Sequence, residues 1–497
     1  MEGDAGMAKK DLDFLGGVVS FAQERFAKGS VKYGQKHPAK AIPKAVFDKL
    51  DEPASDHFTL GFAKTDIMPS DLPKKKYWVA GYRINNAATG VLDPMTCSAV
   101  WIDDNTGRGG VFLVSVDSVG MSSYDSDLIV ESMKTELDMI GCRGVFIMSC
   151  HNHAGIDTLG YWGPLPLTGR NPKYMDIVHE GIKKVIRGAY KNRKDGDLFH
   201  GTIEAPDVLR DSRPPQVWNK TFTRLRFAPL DGSTETWMLN LDTHCEAMLG
   251  ANSLVSADFP CYLRRRVAKE NGAEVIFFIG CEGGLIRPKE LDEDNIVSTV
   301  MCGELLADAA MAITNDRKLP PLLNFLRQPY YSEVENVMLL MAVKIGVIKN
   351  DKKFATGKGE IGYSLLTEMT YMELGGSAQN GGLEMLFLPC ELFPELAYGG
   401  YLTAEESATG LGPEANPIPL REIAQNPDLL VFNLCNDMTG YVVPPNDWIL
   451  NEKTPYINGG KDKTGRNHYE ETNSLGPRTA EIIAETFTGM METVKGA

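Results

Sequence analysis

Six short apolar runs constrain this chain more than any other feature: GVFLVSVDS (110–118), GVFIMSC (144–150), TWMLNLDT (236–243), EVIFFIG (274–280), LEMLFLP (383–389) and LLVFNLC (429–435). They are rich in β-branched and aromatic residues, too short for buried helices, and lack the alternation of a strand with one wet face. Such runs read as strands covered on both sides. Helical periodicity separates them, at 125–139, 173–192, 263–271, 295–315 and 333–347, and a last helix is expected over 479–491. The pattern predicts an α/β fold, a mixed and largely buried β-sheet core flanked by helices. With no internal repeat and no linker after residue 58, residues 58–497 read as one domain. Residues 1–57 read as an N-terminal helical extension, with amphipathic stretches at 13–26 and 45–50 joined by a Lys- and Gly-rich segment. Such an arm packs on the main domain or on a partner subunit.

Charge and cysteine usage narrow the function class. The net charge of −15 and the pI of about 5.1 argue against a nucleic-acid surface or an anionic membrane as partner. No apolar run approaches the ~20 residues that span a bilayer, and the start lacks the layout of a signal peptide. Nine cysteines, odd in number and widely scattered, do not form a disulfide framework. The expected setting is cytoplasmic with reduced thiols. The partner is a small-molecule substrate, and the extension is compatible with a homo-oligomer.

Five of the runs end in polar tips: His151-Asn152-His153, His244-Cys245-Glu246, Cys281-Glu282-Gly283-Gly284, Cys390-Glu391, and Asn436 to Tyr441. Ligands of open α/β sheets bind outside the carboxyl ends of strands. If the strands are parallel neighbours, the five tips meet in one crevice. Residues two apart in an extended segment point the same way, so His151 and His153 can address one site. His244 and Glu391 would add a third imidazole and a carboxylate, a nitrogen and oxygen donor set that suits Zn2+ with a position left for water. His37, His57, His179 and His200 fall in extension, helix or loop contexts, where a solvated imidazole is expected. Cys150, Cys245, Cys281, Cys390 and Cys435 sit at the same tips. A thiolate metal or redox site is the competing reading, and tight packing of small side chains the plainer one.

In their order and wording these segments resemble the neutral/alkaline, non-lysosomal ceramidase family of zinc amidases. GFAKTDIMP (61–69) is similar to the family's opening strand and CHNHAG to its T-H-T-H-x-G. TWMLNLDTHCEAMLGANSLVSADFPCYLRR resembles the segment with a zinc histidine before S-x-D-x-x-x-Y-L. FLPCELFPELA is similar to V-P-G-E-F, and LCNDMTGYVVPPNDW and YEETNSLGP resemble the closing motifs. The resemblance spans about residues 58–490. It implies zinc on His151, His244, Glu391 and Tyr441, with His153 as a second imidazole facing substrate or the oxyanion. Glu470 would be a supporting residue of a closing loop, although a solvated position is the reading of Glu470 and His468 from their local context. Where the family shows G-D-x-S-P, this chain reads CEGGLIRP, without the aspartate or the serine. The chain stops after its final helix, so the family's C-terminal immunoglobulin-like domain is not expected.

The resulting expectation is a zinc-dependent hydrolase in which metal-activated water cleaves the amide bond of a ceramide-like or other small N-acyl substrate. His153 or Arg213 would hold the developing oxyanion, and Glu282, the acid of the altered motif, would accept the water proton. The alternatives are a metal-binding protein with altered or no catalysis, or an esterase on a non-lipid substrate.

Overall fold

All six apolar runs form strands in the computed structural model, which describes residues 9–36, 38–72, 74–349, 354–356 and 361–497. They divide between two sheets instead of joining one. The larger sheet runs, in spatial order, Glu274–Ile279, Thr236–Leu241, Thr221–Pro229, Lys194–Glu204, Phe58–Asp66, Thr96–Asp103, Val111–Val116 and Gly144–Ser149. Its two end pairs are parallel and its middle is antiparallel. The sheet curls until its ends approach: Ser115 Oγ donates to the carbonyl of Phe277 at 2.7 Å. The smaller sheet orders Leu323–Val334, Tyr363–Leu374, Leu383–Phe387 and Leu430–Phe432, the last two parallel.

The sheets stack face to face, which explains runs that are apolar throughout. Phe146, Met148, Met238, Ile276 and Phe278 of the first meet Met372, Met385, Phe387 and Phe432 of the second. The Phe387 ring stacks 5.4 Å from Phe146 and 4.7 Å from Phe432. Each such side chain contributes roughly 1.5–3 kcal/mol by leaving water. Helices cover the outer faces. Pro172–Lys191 starts at Asn171, whose side chain accepts from Lys173 N and Tyr174 N, and its Val178, Ile182, Val185 and Ala189 face the larger sheet. Phe259–Glu270 and Asn295–Met311 pack together beside Glu274–Ile279, and Thr479–Lys495 covers the smaller sheet. No helix among the described residues is long and apolar enough to cross a membrane.

Several expectations change. The helix foreseen at 333–347 is Val337–Lys344, preceded by a strand that runs to Val334, because Asn336 caps it by accepting from Met338 N and Leu339 N. The helix foreseen at 125–139 breaks at Met133 into Ser123–Ser132 and Lys134–Met139. Among the described residues of the first 57, a single helix, Lys9–Lys36, packs Val19, Ala22 and Phe26 near Val337, Leu340 and Tyr363. Residues 45–50 are not helical, yet Phe47 is buried against Tyr371. His179 is buried rather than solvated: Nε2 meets Asp125 Oδ1 at 2.8 Å, and Arg170 pairs with the same carboxylate. His57 pairs with Asp197 at 2.7 Å. His37 lies outside the described residues.

Candidate metal centre and active site

Backbone hydrogen bonds stitch the strand tips together although the strands belong to different sheets. His153 N donates to Cys245 O at 2.9 Å, and Asn152 bridges to Cys245. Asn436 N donates to Ile147 O at 2.7 Å, while Met148 bridges to Cys435. Glu391 pairs with Tyr441 in a short parallel ladder. His151 turns out of its strand with φ at 55°, as do Leu434 at 54° and Asn436 at 59°. Such left-handed positions cost of order 1–3 kcal/mol each, and here they cluster where the tips meet.

The tips bring His151, His153 and His244 within 4.8 Å of one another. His151 Nδ1 donates to Val119 O at 2.7 Å and His244 Nδ1 to Ile286 O at 3.0 Å. A carbonyl only accepts, so both ring protons sit on Nδ1 in the neutral rings and both Nε2 atoms present bare lone pairs. Glu391 Oε2 faces them, 3.2 Å from His151 Nε2 and 3.8 Å from His244 Nε2. His244 Nε2 and Glu391 Oε2 are buried without a hydrogen-bond partner. Two unpartnered lone pairs facing each other beside a third imidazole nitrogen are the complement of a cation, so the residues fit a metal ion. The acid–base balance agrees. Burial opposes charge on His151, yet Glu391 beside it lifts the imidazole above its ordinary value. Burial likewise opposes charge on Glu391, but His151 and His244 hold it below the usual carboxylate range.

His153 has different surroundings. Its Nε2 lies 3.0 Å from His151 Nε2, and its Nδ1 lies 3.2 Å from Glu246 Oε2. Burial, then the neighbouring imidazoles, push it well below the ordinary histidine value. Gly81, at φ 102°, presses on it so closely that a Cβ there would sit 2.5 Å from the imidazole Cγ. Tyr82 OH donates to Glu246 Oε2 at 2.7 Å. Burial raises Glu246 above the usual carboxylate range. Tyr82 and Gly81 are neighbours of the cluster that the sequence does not reveal, whereas Glu246 stands at a tip the sequence places there but to which it assigns no role.

Tyr441 is buried beside Glu391, its ring 6.2 Å from that of Tyr469, and burial with Glu391 raises its phenol well above the ordinary value. Glu282 is wholly enclosed and accepts from Asn433 Nδ2 at 2.7 Å. Burial and the charge of Glu391 push it well above its ordinary value. Arg213 is buried with NH1 2.8 Å from Glu470 and NH2 2.9 Å from Asp447 and 3.8 Å from Glu471. His468 and Glu470, read above as solvated, are both buried in this network. His468 Nδ1 lies 3.0 Å from Glu471 Oε1.

These groups border a cavity of ≈ 900 Å³. His151, His153, His244, Glu391, Tyr441 and Arg213 line it; Glu282 does not, nor does any of the five tip cysteines. Burial raises the Cys245, Cys281, Cys390 and Cys435 thiols, which opposes thiolate ligation. Leu159, Trp162, Leu339, Val343, Ile348 and Met438 form much of its apolar wall, while Arg210, Arg287 and Glu246 make a charged side.

No family model matches the chain, and no curated protein matches it by sequence. Solved structures do. The neutral ceramidase from Pseudomonas aeruginosa superposes with a TM-score of 0.64 at 14% identity, over 89% of this chain and 75% of that one. A ceramidase complexed with C2 superposes with a TM-score of 0.65 at 14% identity, over 89% and 76%. The chain has a ceramidase-like fold. At this identity the likeness speaks for the architecture alone.

Proposed function

We propose that this protein is a metal-dependent hydrolase that cleaves the amide bond of a small N-acyl substrate, with zinc as the cation. The observation that carries the proposal is the pair of buried, unpartnered lone pairs on His244 Nε2 and Glu391 Oε2, beside the Nε2 of His151, at the wall of a ≈ 900 Å³ cavity. The ceramidase-like fold agrees with it. Nitrogen and oxygen donors suit zinc, and Tyr441, paired with Glu391, completes the proposed ligand set. When bound, such a cation polarises a carbonyl and lowers the pKa of water.

The remaining work falls to the chain. The apolar wall takes the acyl group. His153, kept neutral, presents its ring to the carbonyl oxygen as that oxygen gains charge. Glu246 accepts the proton of the attacking water and returns it to the leaving nitrogen as the C–N bond breaks. It is chosen over Glu282 because it lines the cavity and touches His153, whereas Glu282 is sealed behind Asn433. Arg213 acts by position, fixing the segment that carries Tyr469 and Glu470.

The test is metal analysis followed by turnover of a panel of N-acyl amides and matched esters, before and after chelation and zinc add-back. Amide cleavage restored by zinc is expected. Zinc retained without turnover would leave a binding protein, ester cleavage alone an esterase, and turnover undiminished by full metal removal would end the proposal.

A further inference from the structure

The altered motif CEGGLIRP replaces a serine-bearing loop with one that carries a guanidinium, and its geometry has a consequence for substrate choice. Ile286–Pro288 pairs antiparallel with Leu209–Asp211, and the register sets Arg287 directly opposite Arg210. Both arginines line the cavity. Like charges facing each other across a ladder repel, so the pair calls for an anion. Among the described residues it has Glu290, whose Oε1 alone takes Arg287 NH2 at 2.7 Å and Arg210 NH2 at 3.0 Å. The Glu290 side chain is 40% exposed and that of Arg210 42%. The Arg210–Glu290 pair, exposed on both sides, contributes only about 0–1 kcal/mol, while Arg287, 14% exposed, holds Glu290 from the more enclosed side. Arg210 Nε is buried with no hydrogen-bond partner. Arg287 Nε approaches Glu246 Oε1 only to 3.7 Å, an ion pair without a hydrogen bond. Two planar forks with unspent donors are the recognition element for a carboxylate.

The position relative to the metal centre is fixed as well. The carbonyl of Ile286, the residue before Arg287, accepts from both the backbone N of His244, at 2.8 Å, and its ring Nδ1, at 3.0 Å. Glu246, which Arg287 faces, is also the group that faces His153. The arginine pair is therefore one residue removed from the support of a proposed ligand, in a cavity whose lining also includes Leu159, Trp162, Leu339, Val343 and Met438.

We infer that the substrate is an N-acyl amino acid: the acyl chain lies on the apolar wall, the amide at the imidazole cluster, and the carboxylate of the amino-acid half on Arg210 and Arg287, displacing Glu290. This assignment of substrate class rests on the hydrolase reading above, but its binding component does not need turnover. Isothermal titration calorimetry on the full chain, both chelator-treated and zinc-loaded, would compare three ligands: N-dodecanoylglycine, the neutral N-propyldodecanamide, and N-dodecanoylaminomethylphosphonate. Charge-assisted hydrogen bonds give the glycine conjugate an advantage of at least about tenfold over the neutral amide in both forms. Arg287→Gln and Arg210→Gln each reduce that ratio, whereas Glu290→Gln, at an exposed position outside the proposed catalytic machinery, increases it. Equal binding of acid and neutral amide, or a ratio that none of the three variants moves, would overturn the inference. Preferred binding of the phosphonate would overturn the carboxylate assignment in favour of a phosphate-bearing head group. If the acid is preferred but never cleaved, the carboxylate site stands and the hydrolase reading falls. If both amides are cleaved with equal kcat/KM, the reverse holds.

Discussion

Arg213→Met separates a structural role for this arginine from a catalytic one. The guanidinium is 3% exposed, lies 4.7 Å over the Phe393 ring, and contacts Asp447, Glu470 and Glu471. Methionine replaces the stem and its packing but removes the charge. Asp447 retains Arg466, which pairs with both of its oxygens at 2.7 Å. Glu470 loses its 2.8 Å partner inside the protein. Breaking a buried pair from one side costs about 3–5 kcal/mol. An unfolding entropy of about 2.1 cal/mol/K per residue gives on the order of 1 kcal/mol/K for a chain of this length. The expected drop in Tm is therefore roughly 3–5 °C. Arg213→Lys keeps one charge without the fork and should fall between the two. Differential scanning calorimetry on zinc-loaded protein, alongside kcat and KM for the best panel substrate, reads both effects. Activity should fall together with Tm, because the affected segment lines the cavity through Tyr469 and Glu470. A variant that keeps its Tm while kcat falls by about 10²–10³, the size of a lost oxyanion donor, would refute the positional role and place Arg213 on the reacting oxygen.

Other expectations follow from the same geometry. Glu391→Gln and His244→Ala should each weaken zinc binding by more than the ~10–100-fold typical of an outer-shell change, measured by competition with a chromophoric chelator. Chelation of the wild type should lower its Tm, and the shift should grow with zinc concentration as mass action requires. Glu246→Gln should lower kcat by about 10²–10⁴ with zinc retained, while Glu282→Gln keeps most of the activity; the opposite ranking would move the proton acceptor to Glu282. Burial pushes Asp211 up to about 7 and Glu395 up to about 8. Both acids bind protons more tightly folded than unfolded, so their contribution is full below the unfolded values and is lost as pH rises through about 7 and 8. Thermal melts should show Asp211→Asn and Glu395→Gln losing less stability than wild type between mildly acidic and mildly alkaline pH, and equal losses would contradict this.

The amino-acid sequence reveals those features whose physics is local. Val145 to Met148 and Val275 to Ile279 are strands because their residues say so at short range, and the first of them leads into His151. His151 and His244 were legible for the same reason: a polar residue directly after a fully buried strand has few places to go. The division into two sheets was not legible, because a run apolar on both faces reveals that it is covered but not by what. Phe146 stacked on Phe387 looks, in sequence, like Phe146 under a helix. His468 and Glu470, and the ion-pair network that encloses Arg213, fall into a second class. Their partners stand far away in the chain, as with Arg213 and Asp447, and an isolated charged residue in a loop is read as wet by default. One signal was available for that class. CEGGLIRP departs from the resembled motif by gaining an arginine beside buried-looking residues, and a guanidinium seldom enters such a context without an anion to meet. In this chain the cross-strand register of Arg287 with Arg210 turns that departure into a statement about substrate, so the segment that weakens the resemblance is also the one that best distinguishes this cavity.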